Sequence, residues 1–259
     1  MERRRAVTAL VGLLLLAGCV ADPKTEPSQP VFDSSATFTA DDLYHPPQEM
    51  AELVWKVKQA TYVVECPGTE GSGWGVQLHW QGATQSFIVT AHHVIESCLD
   101  EKVEPTILNH KFDSFSGVVT VSDFEEADPD EITDEQDLAL ITPSIEDFKT
   151  LDSLNSRGYP LGSWVMTSSY PGLDDDFYMY TVTTGNIASL GGLLGIVMTA
   201  AVNPGASGGV VVNSRGQVLG TIVAGYDQSE LNDVAYFLPV ANLWQLMAKL
   251  PEKKVSSKE

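Results

Sequence analysis

From Thr61 onward the chain reads as short apolar runs rich in β-branched and aromatic residues. They include "TYVVEC", "GWGVQLHW", "SFIVTA", "FSGVVTVSDF", "LALITP", "SWVMTSSY", "FYMYTVTTG", "IVMTAAV", "GVVVNS", "VLGTIVAG" and "VAYFLPV". Such residues fit a pleated, half-buried surface, and turn formers such as "NSRGQ" and "YPGLDDD" separate the runs. About ten strands at regular spacing, with few helical patterns between them, predict an all-β sandwich or a pair of barrels. Two segments carry a helical period instead. In residues 48–60 Met50, Leu53, Val54 and Val57 fall on one face, and "ANLWQLMAKL" (241–250) predicts a terminal amphipathic helix. No internal repeat is visible.

The first residues follow a different pattern. "MERRR" is a basic opening and "AVTALVGLLLLAG" a short apolar run, below the roughly 20 residues of a membrane-spanning helix. It ends in Leu16-Ala17-Gly18-Cys19, which resembles the lipobox of bacterial lipoproteins. That resemblance implies cleavage before Cys19, lipidation of its sulfur and an extracytoplasmic, lipid-anchored protein of the cell envelope, on the periplasmic side or the outer membrane. Val20 in place of an aspartate points toward the outer membrane. The following segment is rich in Pro, Ser, Thr and Asp without a sustained apolar period, and reads as a disordered tether. The expected organisation is a signal peptide over 1–18, a tether over 19–47, a first β-unit over 48–150 and a second over 151–259 with the terminal helix.

Charge narrows the choice of partner. The 259 residues hold 15 Lys+Arg against 35 Asp+Glu, and removal of residues 1–18 would leave 12 basic and 34 acidic side chains. A phosphate backbone needs a basic footprint, so nucleic acid is excluded as an expected partner. The acidic stretches at 122–137 and 173–176 lack the alternating ligand-and-glycine pattern of a calcium loop and read as solvated loops. No metal or organic cofactor is expected.

The chemistry gathers at "NPGASGG" (203–209), where Gly205, Gly208 and Gly209 surround one hydroxyl, Ser207. Glycines this dense suggest that something approaches the hydroxyl closely. A serine is a weak nucleophile without a base to take its proton. Of the five histidines, His45 lies in the tether, His79 in a strand and His110 in a polar loop, whereas His92 and His93 lie where "SFIVTA" runs into a turn. Asp137 is the one acid of its loop that adjoins an apolar run, "LALI".

Together these segments resemble the trypsin-like serine proteases. "TAHHV" is similar to their T-A-x-H segment, "QDLALI" to D-[IL]-A-[LV], and "GASGG" to the G-x-S-G-G turn. "NPG", "GSGWGV" (71–76), "SYPG", "TVTTGNIASL" and "FLPVANL" are similar to segments of the HtrA/Deg branch, over roughly residues 48–245. The order His93, Asp137, Ser207 is the family's order.

The resemblance implies two Greek-key six-stranded β-barrels with a short C-terminal helix, and a serine endopeptidase acting on protein or peptide substrates. It implies His93 as general base, Asp137 as its orienting carboxylate and Ser207 as nucleophile, with the amides of Gly205 and Ser207 forming an oxyanion hole. Activity is then expected to rise as His93 loses its proton, near pH ~6.5 for an ordinary imidazole. Ala201 would floor the primary specificity pocket, with Val202, Val223, Ala224 and Gly225 on its wall. That lining carries no charge, which implies cleavage after small or medium aliphatic residues. In an oxidising compartment Cys66 and Cys98 are expected to pair, because the strands bearing those segments are neighbours in the family.

Ala206 stands where the digestive enzymes carry the aspartate that an activated N-terminus pairs with, so that route of activation is not expected. The chain also leaves no length for the PDZ domain that many Deg-type enzymes carry, and its oligomeric state and natural substrate stay open. The alternative expectation is an inactive lipoprotein of the same fold that serves as a binding or scaffold protein. An adaptor using the acidic loops to hold a basic partner is a further one, and leaves the glycine-serine turn unexplained.

Overall fold

The computed structural model describes residues 40–250 except 81, 126–135, 152, 156–157, 175–176, 191–194 and 226–233. The signal-like segment, the lipobox with Cys19 and the first part of the expected tether lie outside the described residues, as does most of the acidic stretch after Glu125. No helix among the described residues is long and apolar enough to cross a membrane.

Six strands close the first barrel: β1 (Thr61–Cys66), β2 (Thr69–Trp80), β3 (Ala83–Thr90), β4 (Thr106–Leu108), β5 (Ser114–Glu125) and β6 (Gln136–Pro143). Around the barrel they run β1-β2-β3-β6-β5-β4, every pairing antiparallel. The second barrel is built from β7 (Trp164–Ser169), β10 (Thr181–Ser189), β11 (Ile196–Met198), β12 (Val210–Asn213), β13 (Val218–Gly225) and β14 (Ala235–Pro239). A small hairpin, β8 (Gly172–Asp174) and β9 (Phe177–Tyr178), stands between β7 and β10. Read from β7, the second ring runs β7-β10-β11-β14-β13-β12, which repeats the order of the first. The expected pair of six-stranded barrels is therefore the observed architecture.

Several strands are buried along runs of four to six consecutive residues, since one face fills a barrel and the other is covered by neighbouring elements. Trp74, Val76, Ile88, Val89, Leu138, Leu140 and Ile141 are buried in the first barrel, and Val165, Ile187, Met198, Val211, Ile222 and Phe237 in the second. One apolar cluster takes side chains from both barrels, among them Trp74 and Val89 from the first and Met166, Val210 and Leu238 from the second. Buried polar contacts cross the same seam. The Trp74 indole N–H donates to Thr221 Oγ1 at 3.1 Å, and the Thr61 and Ser168 hydroxyls meet at 2.9 Å.

Three α-helices complete the fold: α1 (Met50–Gln59), α2 (His92–Glu101) and α3 (Val240–Ala248). The first and last agree with the helical period, α1 burying Leu53 and Val57 and α3 burying Leu243, Leu246 and Met247. α2 differs from expectation, because the sequence there reads as a strand running into a turn. It follows β3 after the single residue Ala91, with no side-chain cap at its start, so neither a linker nor a capping residue announces it. It buries Val94, Ile95 and Cys98.

Ordered structure also begins sooner than expected. Ala40–Tyr44, inside the segment read as tether, form a 3-10 helix, and the Ser214 hydroxyl donates to the Asp42 carbonyl at 2.6 Å. The C-terminal helix reaches back to the first barrel: Gln136 Nε2 donates to Gln245 Oε1 at 2.6 Å, and Lys249 pairs with Asp123.

Candidate active site

Asp137 is the second residue of β6, a strand whose first six residues are buried. A buried carboxylate is costly unless it is paired. Asp137 Oδ1 accepts the backbone N–H of His93 at 3.0 Å, and Oδ2 accepts Nδ1 of the same residue at 2.6 Å. The first bond uses one of the amides that a helix N-terminus leaves without an intrahelical acceptor. The second holds the ring. Side-chain exposure is 5% for Asp137 and 42% for His93, so a buried anion orients a ring that faces outward. With a carboxylate at Nδ1 the neutral ring carries its proton there, which leaves Nε2 as an acceptor.

His92 does not share this environment. Both histidines stand in the first turn of α2, beyond the end of the strand, where the sequence reads as a turn. The His92 ring stacks on Phe124 with centroids 5.4 Å apart, and its Nδ1 is buried without a hydrogen-bond partner among the described residues. His110 packs edge-on to Trp55 at 5.8 Å, where burial, and then Lys111 and Lys58, push its pKa below the ordinary imidazole value. His79 Nδ1 lies 3.5 Å from Thr84 Oγ1 on the adjacent strand.

Ser207 stands in the turn that leads into β12. Gly205 and Gly208 take left-handed backbone angles, with φ of +85° and +84°. A β-carbon on Gly208 would overlap the Ser72 carbonyl oxygen and Thr90 Oγ1, and one on Gly205 would lie 2.7 Å from the Gly172 nitrogen. The glycines are thus required both by conformation and by close approach. The turn and the start of α2 meet across β2. At Gly71 a β-carbon would lie 2.6 Å from Val94, the residue after His93, and 2.9 Å from the Ser207 carbonyl oxygen.

The amides of the turn divide into two groups. Those of Ala206, Gly208 and Gly209 donate to the carbonyls of Asn203, Ile222 and Ala206 at 3.0, 2.7 and 2.9 Å. Those of Gly205 and Ser207 have no acceptor among the described residues. The Ser207 hydroxyl donates to the Val223 carbonyl at 3.1 Å. A carbonyl can only accept, so the serine proton rests on β13 in this arrangement.

Ala201 and Val202 lie just ahead of the turn, where the Thr183 hydroxyl donates to the Ala201 carbonyl at 2.7 Å. Val223, Ala224 and Gly225 are the last residues of β13. Cys66 and Cys98 form a disulfide with Cα atoms 5.2 Å apart, which ties the end of β1 to α2.

Sequence reasoning gave no role to two residues that join these parts. The Ser72 N–H donates to the Ser207 carbonyl at 2.7 Å, and the Thr90 hydroxyl donates to the Ser72 carbonyl at 2.7 Å. The signal was present in "GSGWGV" and in the threonine of "TAHH".

Residues 71–220 match the family described as "Trypsin-like peptidase domain". The chain is 27% identical over 160 residues to "Serine protease Do-like HtrA" of Lactococcus lactis subsp. cremoris, an alignment covering 59% of this chain and 36% of that protein. It is 29% identical over 116 residues to "Protease Do-like 2, chloroplastic" of Arabidopsis thaliana, covering 40% of this chain and 18% of that protein. The chain therefore spans well under half the length of these two relatives. Among solved structures, the serine endoprotease from Yersinia pestis superposes with a TM-score of 0.61 at 20% identity, covering 79% of this chain and 67% of that one. At that identity the likeness concerns the fold.

Proposed function

The chain belongs to the trypsin-like peptidase domain family, and on that footing we propose that it is a serine endopeptidase whose catalytic residues are His93, Asp137 and Ser207. The observation that carries this reading is the two-point grip of the Asp137 carboxylate on His93, at 3.0 Å to its amide and 2.6 Å to its ring, beside a glycine turn that presents a serine.

In this reading the Ser207 hydroxyl leaves the Val223 carbonyl, turns to Nε2 of His93 and gives up its proton as Oγ attacks the substrate carbonyl. Asp137 stabilises the imidazolium that forms, and His93 returns the proton to the leaving amine. Water then cleaves the acyl-enzyme by the same steps. The developing oxyanion would be received by the amides of Gly205 and Ser207, the two that the turn leaves without an acceptor among the described residues. Such donors are worth about 3 kcal/mol each in a transition state. Ala201, Val202, Val223, Ala224 and Gly225 would bound a pocket without charge, which favours small or medium aliphatic residues before the cleaved bond. Cys19 would carry the lipid that holds the enzyme to the envelope.

Labelling with a fluorophosphonate probe tests the core of this reading. The wild-type protein should label and the Ser207→Ala variant should not. A wild-type protein that stays unlabelled would leave the scaffold alternative in its place. A peptide library should return aliphatic residues at the cleavage site, and a profile dominated by Arg or Lys would sink the pocket assignment. Incorporation of labelled fatty acid, lost in Cys19→Ala, tests the anchor.

A further inference from the structure

Ser72 lies on β2, four residues into the strand and fully buried. Its hydroxyl makes two hydrogen bonds that leave its own barrel. It donates to the Gly205 carbonyl at 2.9 Å and accepts the Tyr170 N–H at 2.8 Å. Its backbone adds two more, from the Ser72 N–H to the Ser207 carbonyl at 2.7 Å and from the Thr90 hydroxyl to the Ser72 carbonyl at 2.7 Å. One residue of the first barrel thereby holds both ends of the Gly205–Ser207 segment from below. It also ties that segment to β3, and to the chain that leaves β7 at Tyr170.

We propose that Ser72 is a positioning residue for the oxyanion site, its hydroxyl setting the orientation of the Gly205–Ser207 segment through the Gly205 carbonyl and the Tyr170 amide. The inference rests on the proposed peptidase reading and deepens it. Gly205 alone does not fix its own geometry, since a glycine populates left- and right-handed backbone regions about equally. The restraint has to come from hydrogen bonds. The Gly205 carbonyl has one from the Ser72 hydroxyl, and the Ser207 carbonyl has one from the Ser72 amide. On the other side the turn is backed by Pro171 and Gly172, the residues after Tyr170, which lie 3.1 and 2.7 Å from where a Gly205 β-carbon would stand. Because the Tyr170 N–H donates to the same hydroxyl, Ser72 fixes the turn and its backing together. Removal of the hydroxyl leaves the half-buried Gly205 carbonyl and the buried Tyr170 amide without this partner. Both peptide groups are then free to seek new acceptors and donors by rotating. The part that suffers is the aim of the Gly205 and Ser207 amides, which matters in the transition state and little in ground-state binding.

The test is a comparison of Ser72→Ala and Ser72→Cys with the wild type on a cleavable peptide. Each protein is also titrated with a peptide boronic acid, whose tetrahedral adduct needs the oxyanion site, and with a product peptide, which does not. In Ser72→Ala, kcat should fall about 30-fold with KM within about twofold, a loss on the scale of a misplaced catalytic group. Boronate affinity should fall by a similar factor while product-peptide affinity holds. Ser72→Cys keeps the shape with a weaker donor and acceptor, and should fall in the same direction by less. Wild-type rates in the Ala variant overturn the proposal, and so does an equal loss of boronate and product-peptide binding. If Ser72→Ala fails to fold, the Cys variant decides, and a kcat within about twofold of wild type overturns the proposal. A wild-type protein that cleaves nothing and ignores the boronate refutes the peptidase reading and this inference with it. An active wild type with an indifferent Ser72 refutes this inference alone.

Discussion

Asp137 satisfies two donors of one residue, and its two oxygens do different things. Oδ1 terminates a helix amide and Oδ2 selects a ring tautomer. Asp137→Asn should separate them, because an amide oxygen can replace only one acceptor and the NH2 group cannot accept from Nδ1. The fold is expected to survive while kcat drops by about 10⁴. Peptide hydrolysis together with nitrogen shifts of the His93 ring checks both halves, and an active variant with an unchanged tautomer would contradict the role. Gly208 gives a second prediction at this scale. Its φ of +84° and the Ser72 carbonyl beside it both oppose a methyl group, and a backbone oxygen cannot move aside as a side chain would. Gly208→Ala should cost about 3 kcal/mol in chemical denaturation. A midpoint equal to wild type would show that the turn adapts.

At the scale of elements, α2 shows how a short segment depends on its surroundings. Its ten residues hold two histidines and no side-chain cap, so isolated propensity is poor. Three constraints hold it in place: burial of Val94, Ile95 and Cys98, the Asp137 carboxylate at its N-terminus, and the disulfide from Cys98 to β1. The bridge closes a loop with a sequence separation of 32 residues, which corresponds to about 3–4 kcal/mol of unfolded-state entropy. Cys98→Ser should lose roughly that much, measured by urea denaturation under oxidising conditions, and the loss should vanish when both proteins are compared in reductant. The seam between the barrels offers a similar test. Thr221→Val leaves the buried Trp74 N–H without its acceptor and should cost about 1–3 kcal/mol, visible as well in Trp74 fluorescence.

These elements also show how far the sequence could be read. Helices α1 and α3 follow a clear period of apolar residues, and the strands follow their β-branched runs. Asp137 was separable from the other acids because it alone adjoins an apolar run, and the structure places it against His93. Helix α2 and the 3-10 helix at Ala40–Tyr44 were not readable. Each is held by contacts with residues distant in sequence, such as Cys66 with Cys98 and Ser214 with Asp42. Ser72 was visible only as part of a motif, because its partners Gly205 and Tyr170 stand 133 and 98 residues away.

Across the whole molecule each barrel carries a piece of chain from beyond its own strands. The segment before α1 is bonded to Ser214 in the second barrel, and α3 lies against β5 and β6 of the first through Gln245 and Lys249. One apolar cluster spans both barrels, and although the second barrel also holds a cluster of its own around Val165, Ile222 and Phe237, neither barrel can open without disrupting the shared one. Scanning calorimetry should therefore show a single transition with matching calorimetric and van't Hoff enthalpies, and Leu246→Ala in α3 should lower it as one unit by about 2–5 kcal/mol. Two resolved transitions would show that the barrels unfold independently.

Local order in the chain was enough to specify an all-β fold, while the pair of barrels and the candidate residues His93, Asp137 and Ser207 came from the resemblance of short motifs to a family. β-Branched runs, turn chemistry and short motifs act over a few residues and survive without a partner. The rotamer of the serine proton, resting on Val223, the grip of Asp137 on a helix amide and the clamp of Ser72 under the glycine turn came only with folding. Hydrogen bonds are directional and act over about 3 Å, so which groups they join depends on two barrels being closed and set against each other.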